Sequence, residues 1–485
     1  MIRVPDEVLA AMFAFCFTGW CVAWRVAKRG NATPSAFSVA TMASQLTGVI
    51  FLTVLIVASV NNYHQNRADQ FIAYIPAKSN SSETIRPYHP PAPICPDYFR
   101  WIHEDLWPWK NIGITEDMIE KGKNRANFRL VVLNGTAYVE SYRKSFQTRD
   151  KFTIWGILQL LQKFPDRIPD LDLIFYCHDF PQIKVIDYVS RNLSNLSSWI
   201  PPPIFGYNSD EDSLDIVFPD WSFWGWAEIN IKPWNILLNE LVQGNKKTSW
   251  YKREPYAYWK GNTRMSPVRS YLMKCNPAAD GSADWNVRVF DQDWIREIEK
   301  DFPQSNLADQ CNYRYKIYVE GVSWSVSKKY ILACDSSALL IHSKYHDFFS
   351  RGLIPMQHYY PVKEDFTCDS INSTVSFGNS HQQEAREIGR EGSSFVEKEL
   401  NIDRVYDYMF HLLNEYSKLL RFKPKVPEKA VEISSDSMAN NETGLVKKFM
   451  MDSKLLANQL EPLTEQQFLG ICNRQQSSQQ AEDAL

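Results

Sequence analysis

The sequence predicts an α/β protein whose folded body begins near Cys95 and closes near residue 425. Apolar strand-like runs alternate with helical ones, as in "FTIWGILQLLQKF" before "LDLIFYCHD", and "YKIYVEGVSW" before "SVSKKYILAC" and "ALLIHS". Strand, helix and strand in succession indicate parallel βαβ units. A chain of 485 residues is long enough for two such domains, each with a sizeable core.

The amino end predicts a transmembrane signal-anchor. Residues 38–60, "SVATMASQLTGVIFLTVLIVASV", carry no charge and are long enough to cross a bilayer as a helix, which needs about 20 residues. Arg25, Lys28 and Arg29 precede this run, which places residues 1–37 in the cytosol and the rest in the lumen. Residues 8–24 form a second hydrophobic run, borderline in length for a span. Residues 61–94, polar and then rich in proline, are expected to be a stem.

Composition and short signals agree with a lumenal body. The net charge of −3 argues against a general nucleic-acid binder, which would carry a basic excess. N-glycosylation sequons begin at Asn80, Asn134, Asn192, Asn195, Asn372 and Asn441. Most of the 9 cysteines follow the anchor, where an oxidising compartment permits disulfides. The final "AEDAL" is not a retrieval signal, so we expect a single-pass Golgi membrane protein, with the endoplasmic reticulum membrane as the alternative.

Individual elements can be predicted along the body. "FRLVVLNGTAYVES" indicates two strands around an Asn134-Gly135 turn, a strong hairpin signal. Residues 384–399 and 402–421 are predicted as the closing helices. Residues 426–485 are polar and end in "NRQQSSQQAEDAL", which predicts a disordered tail.

The stretch "FYCHDFPQI" delivers a carboxylate, Asp179, to the carboxyl end of an apolar strand. Open parallel sheets place their functional groups at such ends. A turn-forming aspartate before Phe180 and Pro181 is the alternative explanation.

An aromatic stretch, "FPDWSFWGWAEINIKPW", contains Trp221, Trp224, Trp226, Trp234 and Glu228. Tryptophan faces can pack against the C–H faces of sugars while an adjacent acid fixes hydroxyl groups. An aromatic corner of the core explains the stretch equally well.

Two further stretches place glycine, hydroxyl and basic residues just after strands. "YWKGNTRMSPVR" and "EGVSWSVSKKYILACDS" each run from a strand through glycine into a helix start, which suits phosphate oxygens. Serine capping of an ordinary helix is the alternative for each. Two pairs of aspartates have the spacing of a metal site. Asp170 and Asp172 precede their strand, which is the wrong end for a metal site. Asp291 and Asp293 follow a strand, but Asp293 is expected to cap the next helix, so no metal site is predicted.

Together these motifs resemble the family 90 glycosyltransferases, which include the Rumi-like protein O-glucosyltransferases and the fungal capsule-associated proteins. The similar segments are "HDFPQ", "DWSFWGW", "YAYWKGN", "CNYRYKIYVEG", "WSVSKKYILACDS" and "DFFSRGLIPMQHYYPV". They span residues 95–425, and their amino-acid sequences are most similar to those of the plant branch of the family.

The resemblance implies a GT-B-like α/β fold, with two Rossmann-like domains and a donor site in the cleft between them. Residues 95–250 would form the acceptor-side domain, and residues 251–425 the donor-side domain with its closing helices. It also implies a metal-independent, inverting transfer of a sugar, glucose or xylose, from a UDP-sugar to a hydroxyl of a protein or glycan. The UDP-sugar would be a co-substrate, and no cofactor is expected.

The resemblance also assigns roles to residues. Asp179 takes the position of the general base, which accepts the proton of the attacking hydroxyl. Where related loops carry an arginine this chain has Ser327, so Lys328 or Lys329 would have to supply that charge. Trp224, Trp226 and Glu228 are candidates for acceptor contacts, and a Cys311–Cys334 disulfide matches the family pattern. The implied donor-binding residues are Thr148, Arg149, Asn262, Arg264, Ser266, Arg269, Val322, Ser325 and Ser327.

Two other functions remain open from the sequence. The serine at position 327 and a shortened loop after Trp224 would also fit a glycan-binding or catalytically inactive relative. A glycoside hydrolase using Asp179 and Glu228 as a carboxylate pair is the second alternative.

Overall fold

The computed structural model describes residues 96–189, 201–302, 306–363 and 365–455. The predicted cytosolic segment, membrane anchor and stem lie outside these residues, as does the carboxyl end beyond Leu455. Within the described ranges, no helix combines the length and the apolar character that a bilayer span requires.

One sheet has six strands in the order β11-β2-β1-β3-β4-β5. β1 is antiparallel to both β2 and β3, whereas β3, β4 and β5 run parallel. The prediction of parallel units therefore holds for only part of this sheet, because the tight Asn134-Gly135 turn forces β1 and β2 to be antiparallel. The strands are β1 (Phe128–Leu133), β2 (Thr136–Ser141), β3 (Leu171–Phe175), β4 (Ile204–Gly206), β5 (Ile216–Val217) and β11 (Val431–Ile433).

The other sheet has five strands, in the order β10-β9-β8-β6-β7, and every pair in it is parallel. Because β6 lies between β7 and β8, the chain winds first to one side of β6 and then to the other. Such a reversal opens a crevice at the carboxyl ends of the strands, where ligands bind in open α/β sheets. The strands are β6 (Glu254–Gly261), β7 (Val287–Asp291), β8 (Tyr313–Tyr318), β9 (Ser337–Ile341) and β10 (Tyr360–Val362).

Helices connect and cover the strands. The first five are α1 (Trp101–Leu106), α2 (Glu116–Gly122), α3 (Arg149–Lys163), α4 (Val185–Val189) and α5 (Trp234–Lys247). The next four are α6 (Pro267–Leu272), α7 (Trp294–Glu299), α8 (Ser327–Leu332) and α9 (Cys368–Ser380). The last four are α10 (Gln382–Glu399), α11 (Ile402–Leu419), α12 (Ser435–Asn440) and α13 (Gly444–Asp452).

We call the six-stranded sheet with its helices the first lobe and the five-stranded sheet with its helices the second lobe. The larger apolar cluster extends from the first lobe onto α8 and onto Tyr318 of β8 and Leu340 of β9, whereas the smaller cluster lies within the second lobe. Helix α11 belongs to the first lobe, although its sequence follows the second. Its Tyr416 hydroxyl donates to the Asp172 carbonyl on β3 at 2.9 Å, and its Tyr408 hydroxyl donates to the Val217 carbonyl on β5 at 3.3 Å. The predicted assignment of all of 251–425 to the second domain is therefore wrong for this closing helix.

The predicted disordered tail is also wrong for residues 431–455. β11 pairs with β2, and Met438, Phe449 and Met450 are buried. The Trp155 indole on α3 donates to the Ser453 hydroxyl at 2.9 Å. A few apolar side chains on two short helices anchor this segment, although its average composition is polar.

Two disulfides stabilise the second lobe. Cys311 and Cys334 form one of them, which confirms the pairing implied by the resemblance. Cys275 and Cys368 form the other, which the sequence did not identify, and it joins the turn after α6 to the start of α9. Cys177 is a buried free thiol.

Candidate active site

Asp179 lies just beyond the carboxyl end of β3, as the sequence predicts. One carboxylate oxygen, Oδ1, accepts a hydrogen bond from Nη1 of Arg149 at 3.1 Å. Arg149 is the first residue of α3 and is buried, whereas the Asp179 side chain is 41% exposed. The arrangement offers a fixed carboxylate that a substrate can reach.

The turn that carries Asp179 is held from two neighbouring strands. The Asn208 side chain, which follows β4, donates to the Asp179 carbonyl at 2.8 Å. The buried carboxylate of Asp215 accepts the backbone N–H groups of Gln182 and Ile183, each at 2.8 Å. Burial raises the pKa of Asp215 to about 6. These contacts position the Asp179 turn relative to the sheet.

His178 occupies the position before the carboxylate. Its Nε2 lies 3.2 Å from Nδ2 of Asn127, and the Asn127 oxygen accepts the Cys177 backbone N–H at 2.8 Å. Because the amide nitrogen is a donor, Nε2 must be the acceptor and His178 is neutral in this contact. Burial, together with the nearby Arg149 charge, lowers the pKa of His178.

Aromatic rings connect the Asp179 region to the second lobe. The Arg149 guanidinium lies 4.2 Å from the centre of the Trp221 ring, an arrangement that favours a cation. Trp221 in turn contacts Trp324 edge to face at 6.0 Å, and Trp324 belongs to the loop after β8. A series of side-chain contacts therefore links the Asp179 region to the predicted donor loop after β8.

The candidate acceptor residues do not form one group. Trp224 is 0% exposed, packs on Gly156 of α3 and donates to the Tyr406 hydroxyl at 2.9 Å, so the acceptor role predicted for it is wrong. Its place is the aromatic core corner that was the alternative explanation. Trp226 is partly exposed and donates to the Gln147 side chain at 2.7 Å.

The two remaining candidates in the first lobe are joined to each other. The Thr148 hydroxyl donates to Oε2 of Glu228 at 3.0 Å. Thr148 precedes α3, so this contact links the loop carrying Arg149 to the aromatic stretch.

The loop after β6 and the loop after β8 meet at the switch point of the second sheet. Three of the five N–H groups of Arg269 donate to carbonyls, namely Glu320 at 2.8 Å, Val319 at 3.1 Å and Asn262 at 3.3 Å. Burial lowers the pKa of this guanidinium to about 10, still well above neutrality. Arg269 therefore joins both loops and remains a cation.

Hydroxyls of these loops are largely used within the protein. Ser266 caps α6 and donates to the Glu320 carbonyl at 3.2 Å. Ser325 and Ser327 hydroxyls lie 2.9 Å apart, and the Asn262 side chain accepts the Arg264 N–H at 3.0 Å. Arg264 and Val322 are exposed at the rim.

Lys328 and Lys329 do not supply the charge that Ser327 lacks. Both are buried on α8, where Lys328 pairs with Asp347 at 3.5 Å. Lys329 donates to Ser222 at 2.7 Å and lies 3.5 Å from Asp220. Neither lysine therefore substitutes for the arginine, because each ammonium group is already paired with a carboxylate of the protein.

A cavity of ≈ 170 Å³ connects the two lobes at this point. Trp226 lines it from the first lobe, and several predicted donor residues line it from the second. These predicted donor residues are Asn262, Arg269, Ser325 and Ser327. The cavity therefore collects residues from three separate motifs of the sequence.

A larger cavity of ≈ 680 Å³ lies between α5 and residues 302 and 306–308. It is lined by Lys232, Glu240 and Lys247 among others, and the predicted site residues are not part of its wall. Size alone does not identify the site here, because residues of the aromatic stretch and of the loops after β6 and β8 line the smaller cavity. Asp179 and Arg149 are not part of its wall.

The acidic pair after β7 has structural roles. Oδ1 of Asp291 accepts the Thr263 hydroxyl at 2.6 Å and the Thr263 N–H at 3.0 Å. Asp293 caps α7, as predicted, by accepting the N–H groups of Ile295 and Arg296. Neither carboxylate depends on an ion for partners.

Comparison with known proteins identifies the class. Residues 91–482 match the family model for glycosyl transferase family 90, and the chain belongs to that family. It is 25% identical to protein O-glucosyltransferase 1 of Homo sapiens over 391 residues, covering 77% of this chain and 92% of that protein. It is 26% identical to the O-glucosyltransferase rumi homolog of Aedes aegypti, covering 68% and 80%, and 24% identical to O-glucosyltransferase rumi of Drosophila melanogaster, covering 70% and 81%.

The sequence did not single out Asn208, Trp324 or Lys316, all of which line or support the site. Asn208 follows the apolar "IFGY" of β4 directly, the same signal that identified Asp179 after β3. Trp324 and Lys316 lie within the segments that resemble the family but carry no separate signal.

Proposed function

We propose that this chain transfers a sugar, glucose or xylose, from a UDP-sugar to a hydroxyl group of a protein or glycan, in a metal-independent inverting reaction. Asp179 would act as general base. The observation that carries this proposal is the placement of Asp179 at the carboxyl end of β3, held by Arg149 and Asn208 yet open to solvent. An alcohol attacks an anomeric carbon efficiently only when a nearby group accepts its proton.

The leaving UDP needs positive charge. The buried Nε of Arg149 has no hydrogen-bond partner among the described residues. Arg269 uses three of its five N–H groups for carbonyls of the described residues, so two N–H groups can still donate to a ligand. We propose that these guanidinium groups stabilise the charge that grows on the phosphate as the sugar departs. Thr148, Asn262, Arg264, Ser266, Val322, Ser325 and Ser327 would complete the donor site.

We also propose a GT-B-like arrangement, in which the two lobes supply opposite walls of the reaction site. A contact chain from Asp179 through Arg149 and Trp221 to Trp324 supports it. Trp226 and Glu228 remain the proposed acceptor contacts. A protein acceptor is suggested by the names of the similar O-glucosyltransferases.

The proposed location rests on the sequence. We propose that residues 38–60 anchor the protein in the Golgi membrane, with the folded body in the lumen. The endoplasmic reticulum membrane is the alternative. The two disulfides in the second lobe are compatible with either oxidising compartment.

The proposal is tested with the full-length protein in detergent. UDP release is measured from UDP-glucose, UDP-xylose and UDP-galactose, with protein and glycan acceptors, in the presence of EDTA. We expect EDTA-resistant turnover of one of the first two donors and a β-linked product from the α-linked donor. An α-linked product, or turnover that requires added Mn²⁺, contradicts the mechanism. A protein that binds UDP but turns over no donor is the inactive relative.

A further inference from the structure

The cavity between the lobes has a one-sided charge. Three cationic side chains line it, Lys260, Arg269 and Lys316, and none of its described lining residues is an aspartate or glutamate. Arg269 and Lys316 are buried, and a buried cation is costly unless an anion compensates it. The cavity wall therefore favours an anionic ligand.

Lys316 is the least compensated of the three. It projects from β8, is 3% exposed, and its Nζ lies 5.9 Å from the centre of the Tyr258 ring. Its Nζ contacts the Sγ of Cys334 at 3.3 Å, and sulfur is a weak acceptor. Among the described residues, no carboxylate forms an ion pair with it.

The other lysines nearby differ in this respect. Burial lowers the pKa of Lys260, but the carboxylate of Glu297 on α7 opposes this shift because it favours the charged form. Lys328 and Lys329 pair with Asp347 and Asp220. Lys316 is therefore the buried ammonium group in this region whose charge the protein leaves for a ligand to compensate.

We infer that Lys316 is a donor-binding residue, which holds a phosphate group of the nucleotide donor in this cavity. The inference rests on the proposed function, which supplies the diphosphate. Lys316 would then supply the positive charge that the serine hydroxyls of this loop cannot provide. Lys328 and Lys329 do not supply it, because both are paired with carboxylates. The two serine hydroxyls line the same cavity and can complete the phosphate contacts.

Binding should also depend on pH in a defined direction. Burial, with the nearby Arg253 charge, lowers the pKa of Lys316 to about 7. The titratable and charged groups packed around it are Tyr258 on β6, whose pKa is raised by burial, and Arg253. A bound dianion favours the ammonium form and raises its pKa, so UDP binding takes up a proton above pH 7 and weakens as the pH rises.

The test compares UDP and uridine binding by calorimetry, using the full-length protein in detergent. The variants are Lys316→Met and Lys316→Gln, with the exposed Lys252→Met as a matched control. We expect both Lys316 variants to bind UDP at least tenfold more weakly at pH 7, to bind uridine within twofold of wild type, and to lose proton uptake at pH 8. Their melting temperatures should not fall, because a neutral side chain replaces an uncompensated buried charge.

Several results would overturn the inference. UDP affinity within twofold of wild type in both variants removes Lys316 from the donor site. An equal loss for UDP and uridine places it at the nucleoside instead of the phosphate. If the wild-type protein itself binds no UDP, the proposed function fails and this inference fails with it. That result differs from a failure of the inference alone, in which the wild-type protein and the Lys316 variants bind UDP equally well.

Discussion

Two aspartates, one just before β3 and one within it, illustrate how position decides the role of a carboxylate. Asp172 is buried in β3 and accepts two hydrogen bonds from Arg129 on β1, at 2.6 and 2.5 Å. Asp170, just before the strand, accepts the exposed Asn134 N–H at 2.8 Å. These two acids have the spacing of a metal-binding pair, but Asp172 belongs to a buried ion pair and Asp170 makes a surface hydrogen bond.

Replacing Asp172 by Asn should therefore destabilise the protein strongly. The buried Arg129 would keep its charge and its 2.7 Å contact with the more exposed Glu120, but it would lose its bidentate partner. Breaking a buried pair in this way costs about 3–5 kcal/mol. Asp170→Asn is the matched control and should change the free energy of unfolding by about 0.5 kcal/mol or less. Urea titration of both variants measures the difference. Equal stabilities would show that the Arg129 pair is not important for folding.

At the same scale, sequence analysis located some site residues and not others. Asp179 was predictable because an apolar strand ending in a carboxylate has a definite place in a sheet. Trp224 was predicted to contact an acceptor but is buried in the core. Aromatic residues in a loop show no periodicity that would indicate which ring faces inward. Asn208 was missed although it follows β4 much as Asp179 follows β3, because the sequence does not show that its side chain contacts the Asp179 turn.

At the scale of elements, the carboxyl-terminal segment β11–α12–α13 completes the first lobe. Phe449 is 1% exposed and lies against Gly225, where an added side-chain carbon would come within 2.9 Å of its ring. Gly225 has φ +130°, a conformation that other residues rarely adopt. The aromatic stretch and the terminal helix have therefore to fit each other closely.

Truncating Phe449 to alanine should remove much of this anchoring. A buried Phe→Ala change costs about 3–5 kcal/mol. Met451→Ala, at a 49% exposed position two residues away, should cost about 0.5 kcal/mol or less. Thermal unfolding of the two variants makes the comparison. A similar melting temperature for both would mean that the terminal segment does not pack as described.

Elements with strong local signals were predictable, and this segment was not. The Asn134-Gly135 hairpin forms as predicted, with φ of 50° and 76° at its two turn residues, because that turn needs residues tolerant of positive φ. Asp293 caps α7 for an equally local reason. The terminal segment depends on contacts with α3 and β2, which lie far away in sequence and leave no local pattern.

At the scale of the whole molecule, the lobes are joined across the site by buried and surface contacts. Lys329 of the second lobe reaches Ser222 and Asp220 of the first. Ser209 and His346 exchange backbone hydrogen bonds at 3.0 and 2.9 Å. These contacts join the loop after β4 and the aromatic stretch to α8 and the loop after β9, so the arrangement of the two lobes at the proposed site depends on them.

Lys329→Met should loosen this junction. It leaves the Asp220 carboxylate buried without its partner, at a cost of about 3–5 kcal/mol. The double variant Lys329→Met, Asp220→Asn removes both charges and should recover part of that loss. Lys344→Met, which removes the more exposed ion pair with Asp210 at 3.5 Å, should cost about 0–1 kcal/mol. Calorimetric unfolding measures all three, and a double variant less stable than Lys329→Met would contradict the pairing.

The central claim is that Asp179 accepts the proton of the attacking hydroxyl. The most direct measurement compares sugar transfer by the wild-type protein and Asp179→Asn, with UDP affinity measured on both samples. We predict a fall in kcat of about 10²- to 10⁴-fold, the usual contribution of a general base, with UDP affinity within twofold. Transfer within tenfold of wild type by a variant that still binds UDP would contradict the account.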